Sequence, residues 1–600
     1  MRRAVALLAL STLCSAQTPP KQQILLNRTA LPITHIQIAD ADGRNERRLV
    51  PGDDMEYSPS FSPDGQWVVF TKDHDGQADI YRVHPDGTGL QPLTSDPAFD
   101  DQGVLSPDGR MLAFVSTRGG GTANIWLLNL QTQATTNLTK NKSGNFRPAW
   151  SPDGQWLAFS SDRDSDAGVL PNHWELLQSI GVYIVRADGR GLRRLTRPGG
   201  VAGSPTWSAD GRKVMFYETD EAGAYMAKYA TSRVEVAAVD IATGKREQMT
   251  ASNDTKLSPQ WLSGGRIGYV IRSGGSDEGL KTFLPRDRAV TPVVSGTVRN
   301  PSWSPDGRQV VFQRLMRLGN TQPLAPLYSR DPQYEVLQSE PFTVYSPDGQ
   351  RLAFSQYQFA KPAGAGIEMA NAYDVGIDLM NRDGSGRRTV FYRKGTSAFA
   401  PAWSPAGDRL AFSVGRYFRS PGAPPGDIAV AKPDGSDFEV VFTDGRNNGF
   451  PSWSPDGLRL VFKHGRQLAI VTLADHTLTL LTDGSHEDNL PQWCAASDSI
   501  LFTSDRDGQF DLYTIRPDGT QLRRLTTAPG QNAHAVWSTD CQRIVFSSGR
   551  MGFKDEMALY DAIPQPNGEI FVMRADGTGA LQLTDNKWED GSPGWVPASR

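Results

Sequence analysis

The chain has 600 residues, 38% of them hydrophobic and 21% charged, with 59 Gly and 41 Pro. That length fits several domains or one large repeat assembly, and the Gly and Pro content fits a chain full of turns. The formal net charge is −4, so no basic excess argues for nucleic acid or for an anionic membrane surface.

The chain opens with "MRRAVALLALSTLCSAQTPP". Arg2 and Arg3 form a basic start, Ala4 to Leu13 is apolar, and Ala16 is small. This is the pattern of a secretory signal over residues 1–16, and the apolar run is too short to span a bilayer. Export to the periplasm or beyond is the expectation. Residues 17–33 read as an N-terminal linker. No later segment is long and apolar enough to be transmembrane. Cys494 and Cys541 remain after cleavage. Export would permit one disulfide between them, and two unpaired buried thiols fit the sequence equally.

From Phe61 onward one pattern returns. It starts at Phe61, Leu105, Trp150, Trp207, Trp261, Trp303, Tyr345, Trp403, Trp453, Trp493 and Trp537, and a last fragment places Trp595 in the same role. Most starts continue Ser-Pro-Asp-Gly, a turn in which Pro presets φ, Asp accepts local hydrogen bonds and Gly takes positive φ. Each unit carries four short runs that alternate apolar and polar, which is strand periodicity. In the unit at Trp493 these are "LPQWCA", "SILFTS", "FDLYTIRPDG" and "LRRLTT". Four antiparallel strands repeated many times predict β-propeller blades, with the starting aromatic packed between blades.

The ends do not match the units. Thr34 to Val50 reads as third and fourth strands without a first pair, and "SPGWVPASR" as a first strand with nothing after it. Such split blades close propellers. The fold expected is all-β, with about twelve blade equivalents in two six-bladed propellers. The boundaries expected are 34–315 for the first and 316–600 for the second, with the first closing at Trp303 and the second at Trp595.

"WSPDGQWLAFSSDRD" at Trp150 and "FTSDRDGQFDLYTIRPDGTQLRRLT" at Phe502 resemble the WD40-like repeats of the TolB-type β-propeller family. The resemblance covers nearly the whole mature chain. It departs from TolB itself, in which an α/β domain precedes a single propeller. It implies a fold rather than an activity, because propellers host binding platforms, hydrolases and lyases alike.

Insertions between second and third strands point to function. They all fall on the face opposite the P-D-G turns, and loops on a rigid scaffold are where binding groups gather. The candidate ligand-binding residues there are Arg163, His173, Trp174, Glu175, Tyr225, Tyr229, Tyr373, Arg416, Tyr417, Lys554 and Tyr560. Aromatics beside carboxylates and guanidiniums suit a sugar or a peptide. Asp162, Asp164 and Asp166 stand at alternate positions, as in calcium loops, although the Gly comes one place late and the twelfth position is His173. Calcium at these three residues is the one cofactor the spacing suggests. No Cys/His spacing suggests zinc and no G-x-S-x-G elbow occurs. The reading is an exported platform that binds a protein or a polysaccharide without catalysis. The alternative is a carbohydrate-active enzyme, a lyase or glycoside hydrolase, with its site over a propeller axis.

Overall fold

The computed structural model describes residues 21–29, 32–120, 122–164, 179–220, 233–272, 277–318, 324–359, 373–415, 425–528, 530–549, 556 and 568–597. Among these the chain is all-β, and its one helical element is the 3-10 turn Ser263–Gly265. The strands form four-stranded antiparallel sheets, such as Asn145–Trp150, Trp156–Ser161, Gly181–Arg186 and Arg193–Arg194 in that order. Two neighbouring sheets are joined by one parallel bridge, Val375 to Ser397.

The recurring turn explains why the strands reverse where they do. Ser106 Oγ donates to Asp108 Oδ1 at 2.6 Å and accepts the Met111 N–H at 2.9 Å, while Gly109 N donates to Ser106 O. The turn glycine has a second task. Gly154 has φ 69°, and a Cβ there would lie 3.6 Å from Cδ of Pro107, the turn proline of the preceding blade. Gly211, Gly407 and Gly457 face the turn proline of the preceding blade in the same way, at 3.5 to 3.7 Å. The starting aromatic does the same: Trp207 Nε1 donates to Ala149 O at 3.0 Å and Trp453 Nε1 to Ala402 O at 3.0 Å, both in the preceding blade. The core lies between blades. Trp453, Leu460 and Phe462 of one blade bury against Ala411, Ile428 and Val430 of its neighbour.

The closing "LT" of each unit also has a structural part. Thr526 Oγ1 accepts the Leu512 N–H of the third strand and donates to Asp511, and Thr584 serves Ile570 and Glu569 in the same way.

Packing between sheets runs in chain order. From the sheet of Met55–Phe61 it passes to those of Asp100–Leu105, Asn145–Trp150, Gly200–Trp207 and Thr255–Trp261, then to Val298–Trp303, which packs back on the first. Into that last sheet comes Pro32–Asp40, antiparallel to Gln309–Leu318. A second group runs from Val344–Tyr345 through Ser397–Trp403, Asn448–Trp453, Asp488–Trp493 and Asn532–Trp537 to Glu589–Trp595, which packs back on the start.

Two observations bear on the expected boundaries. Within the segment expected as a linker, Gln22–Thr29 is a strand of the second group, antiparallel to Glu589–Trp595 and parallel to Tyr334–Gln338. Alternating side chains of "QQILLNRT" put Ile24 and Leu26 into the core with Val336 and Val545. The expected boundary between 315 and 316 falls inside the strand Gln309–Leu318. The signal residues 1–16 lie outside the described residues.

Cys494 and Cys541 form a disulfide, with Cα atoms 6.0 Å apart. They stand in the turns of two successive blades. Cys494 occupies the place of the turn serine, and Cys541 that of the turn glycine, keeping its positive φ of 55°. A glycine at this place faces the turn of the preceding blade, so a side chain there reaches back to it.

Candidate binding site

The first strand of each propeller blade lines the axis. In this protein a non-glycine residue in the left-handed region stands three residues before each starting aromatic, and in all but the sheet of Val344–Tyr345 it marks a bulge of the first strand. In the first group these residues are Ser58, Gln102, Arg147, Ser204, Ser258 and Asn300, with φ between 47° and 59°. In the second they are Phe342, Ala400, Phe450, Leu490, His534 and Ser592. One axis is polar at this level and the other mostly apolar.

The second axis is filled. Phe342 lies 5.8 Å from Phe450 and 6.0 Å from His534 between ring centroids, and Phe399, Ala400 and Leu490 pack around them. Burial lowers the His534 imidazole to about 4, so it is neutral among these rings.

The first axis is crossed. Gln102 Oε1 accepts the Arg147 N–H at 2.7 Å. Arg147 Nη1 reaches Asn300 Oδ1 at 2.6 Å, and Asn300 Nδ2 donates to Gln313 Oε1. Along the packing order the strand of Asn300 is the third from that of Arg147 in either direction. The guanidinium therefore spans the axis to the facing blade. Among the described residues, Gln102 Nε2 and Ser58 Oγ, both on buried residues, have no hydrogen-bond partner.

The loop face of the first group is partly covered by the second. Trp588, only 1% exposed, enters a cluster of Met55, Tyr57, Ala78, Phe99, Val115 and Phe146. Its Nε1 donates to Asp73 Oδ2 at 3.4 Å, and Lys587 Nζ sits 3.4 Å from the Tyr57 ring centroid and 3.3 Å from Asp101. Arg28 holds Asp590 through two hydrogen bonds of 2.7 and 3.0 Å. Glu556 accepts from Ser204 N and Ser204 Oγ, each at 2.7 Å, and from Ser160 Oγ.

This junction is rich in carboxylates. Burial pushes the Asp585 carboxyl up to about 6, against Arg330 and Thr117, which hold its Oδ2 at 2.9 and 2.7 Å. Burial raises Glu569, with Asp590 and Asp585 adding to it, and burial also raises Glu589. A raised value means that the folded chain holds the proton more tightly than the unfolded one. The stabilisation is full below the unfolded aspartate value of 3.8 and is lost as pH climbs through about 6. Asp585→Asn is expected to remove part of the pH dependence of the urea midpoint between about pH 4 and 6. An unchanged slope in that window would contradict this origin.

Of the residues singled out in the sequence, Asp162, Arg163 and Asp164 are described in full. Arg163 lies over Phe159 and Tyr183 and donates to Asn145 Oδ1 at 2.7 Å. Arg506 repeats this over Phe502 and Tyr513 with Asp488, and Arg118 over Phe114 and Trp126 with Asp100. Asp164 accepts from Tyr183 and Arg194, as Asp507 does from Tyr513 and Arg524. Asp162 caps Gly144 N at 2.7 Å, as Asp505 caps Glu487 N. Recurrence in other blades assigns these three residues a part in blade architecture. Tyr373 opens the strand Tyr373–Asn381, opposite Phe359. His173, Trp174, Glu175, Tyr225, Tyr229, Arg416, Tyr417, Lys554, Tyr560 and Asp166 lie outside the described residues, and among the described residues no cluster of acidic, His or Cys side chains is set to hold a metal. The axial residues Gln102, Arg147 and Asn300 were not among the candidates. Their signal is the position three before each starting aromatic.

Repeated four-stranded meanders, inter-blade turns and bulged axial strands define a β-propeller protein. The family described as TolB beta propeller domain matches residues 1–122, 97–173 and 367–565, and the chain belongs to that family. A TolB homolog of Chlorobium chlorochromatii is 32% identical over 152 residues, covering 25% of this chain and 31% of the relative. The Tol-Pal system protein TolB of Anaeromyxobacter dehalogenans is 29% identical over 112 residues, or 18% of this chain and 25% of the relative. The chain thus spans about a third or less of these curated relatives. The solved TolB of Acinetobacter baumannii has 15% identity and a TM-score of 0.29, covering 57% of this chain and 82% of its own.

Proposed function

We propose that the chain is an exported, non-catalytic binding platform built as two six-bladed propellers, with the first offering the binding axis and the second acting as scaffold. The contrast at the bulge positions carries this reading. One axis presents Ser58, Gln102, Arg147 and Asn300, whereas the other is filled by Phe342, Phe450 and Leu490. A filled axis has no room for a ligand, and unpartnered buried donors mark a place where one would be welcome. The closed order of sheet packing within each group supports the two-propeller division. Export is supported by the N-terminal signal pattern and by the Cys494–Cys541 disulfide, which persists in oxidising compartments. Among the described residues no helix is long and apolar enough to cross a membrane.

The partner is a protein or a polysaccharide. A photoreactive residue placed at Asn300 in the full chain is expected to form an adduct in the exporting cell, while one placed at Leu490 is not. Absence of an adduct from Asn300 would refute the platform reading. Release of unsaturated or reducing ends from an acidic polysaccharide, lost on changing Arg147, would replace it with an enzyme.

A further inference from the structure

We infer that the two groups of sheets meet through a proton-holding clamp, which is tight in mild acid and loosens as the pH rises. This goes beyond the platform reading and does not depend on it.

The clamp is the segment Asp585–Asp590, which the second group lays on the first. Six carboxylates are buried there: Asp73 and Asp101 of the first group, and Glu569, Asp585, Glu589 and Asp590 of the second. Among the described residues three cations face them. Arg28 takes Asp590, Lys587 takes Asp101, and Arg330 reaches in from the surface to Asp585. Asp73, Glu569 and Glu589 meet neutral donors instead. Asp73 accepts from Tyr57 Oη at 3.0 Å, Trp588 Nε1 at 3.4 Å and Gly76 N at 2.8 Å. Glu569 accepts from Thr584 Oγ1 at 2.7 Å and Asn586 N at 2.8 Å, and Glu589 from Gly568 N at 2.8 Å. Fully ionised, these groups would bury an excess of three negative charges. That is costly away from water, and carboxyls so placed keep their protons instead.

A neighbouring blade shows the neutral version of the same contact. Thr526 Oγ1 and Asn532 Nδ2 both donate to Asp511 Oδ1, at 2.5 and 2.9 Å. At the clamp Glu569 stands for Asp511, Thr584 for Thr526 and Asp590 for Asn532. Asn532 and Asp590 each precede the bulge residue by two, His534 in one strand and Ser592 in the other. An amide donates an N–H at that place, and an ionised carboxylate has none to give. Asn586 Nδ2 sits between the two acids, 3.4 Å from Glu569 and 2.8 Å from Asp590. Like charges held that close do not both ionise without cost.

Burial accordingly raises Glu569 and Glu589 and takes Asp585 up to about 6. Docking therefore takes up protons. Its strength is full below the ordinary aspartate value of 3.8 and falls as the pH climbs through about 6. The other titratable neighbours stay silent in this range. Burial raises the phenols of Tyr57 beside Asp73 and of Tyr328 towards Asp585, and His534, which approaches Gly591 beside Glu589, is neutral above about 4.

The test is X-ray scattering of the full chain between about pH 5 and 8 at fixed salt, with circular dichroism alongside. The radius of gyration is expected to be smallest at the acid end and to grow as the pH passes about 6, while the strand signal holds and the change reverses in acid. The triple change Glu569→Gln, Asp585→Asn, Glu589→Gln replaces each held proton by an amide and is expected to keep the acid radius throughout. Should the triple variant fail to fold, Glu569→Gln alone carries the test and is expected to shrink the rise. A wild-type radius that does not change with pH, an unaltered rise in a folded variant, or a loss of strand signal along with the rise would overturn the proposal. Each of these outcomes leaves the platform untouched, since that reading stands or falls on the Asn300 adduct.

Discussion

Cutting the Cys494–Cys541 bridge is expected to destabilise the second group of sheets by about 4 kcal/mol, from the chain entropy released by opening a loop of 47 residues. The measurement is the urea midpoint with and without reductant, and in Cys494→Ser. Two features make the effect specific. The bridge joins consecutive blades, so it resists their separation directly. It also replaces native turn chemistry, because the cysteines stand where other blades have Ser and Gly. Cys494→Ser alone leaves Cys541 at φ 55°, a conformation that favours glycine. The double change Cys494→Ser, Cys541→Gly reinstates the ordinary turn pair and is expected to regain part of the loss. A midpoint insensitive to reductant would show that the bridge does not hold the blades.

Trp588→Ala is expected to cost about 3 to 5 kcal/mol, the range for emptying a large buried aromatic site. The energy here falls where the two groups of sheets meet. Trp588 meets Tyr57 edge-on at 6.1 Å and fills a cluster contributed by strands of the first group. Its removal strips cover from Lys587 and Asp101, which pair in a dry setting. Looser docking would appear as a larger radius of gyration in solution scattering and as faster proteolysis between the two groups of sheets. Trp588→Phe keeps most of the packing, gives up the bond to Asp73 and should fall between. An unchanged radius in Trp588→Ala would mean that other contacts hold the junction.

Most of the architecture could be read in advance because it is local. The Ser-Pro-Asp-Gly turns, the alternating runs and the starting aromatics are written within each unit, and the antiparallel four-stranded sheets follow from them. Gln22–Thr29 escaped notice for the opposite reason. It has no turn motif, and its parallel partner Gln22 to Tyr334 lies 312 residues away. At the candidate site the difficulty is of another kind. Charged, aromatic loop residues attract attention, yet Arg163 and Asp164 repeat contacts found at Arg506 and Asp507. Gln102 and Asn300 look unremarkable singly. Only alignment of the units on their aromatics shows that one half of the chain is polar at this place and the other half apolar.

The strand Gln22–Thr29 lies between Glu589–Trp595 and Tyr334–Gln338. Arg28 of this strand and Asp590 of its antiparallel neighbour stand 562 residues apart in sequence. Until both strands have been made, Gln22–Thr29 has an open edge and the second group of sheets lacks a wall. Deleting Glu589–Trp595 therefore removes more than one strand's own contacts. It exposes a row of unpaired backbone donors and acceptors, the kind of edge on which another chain can pair.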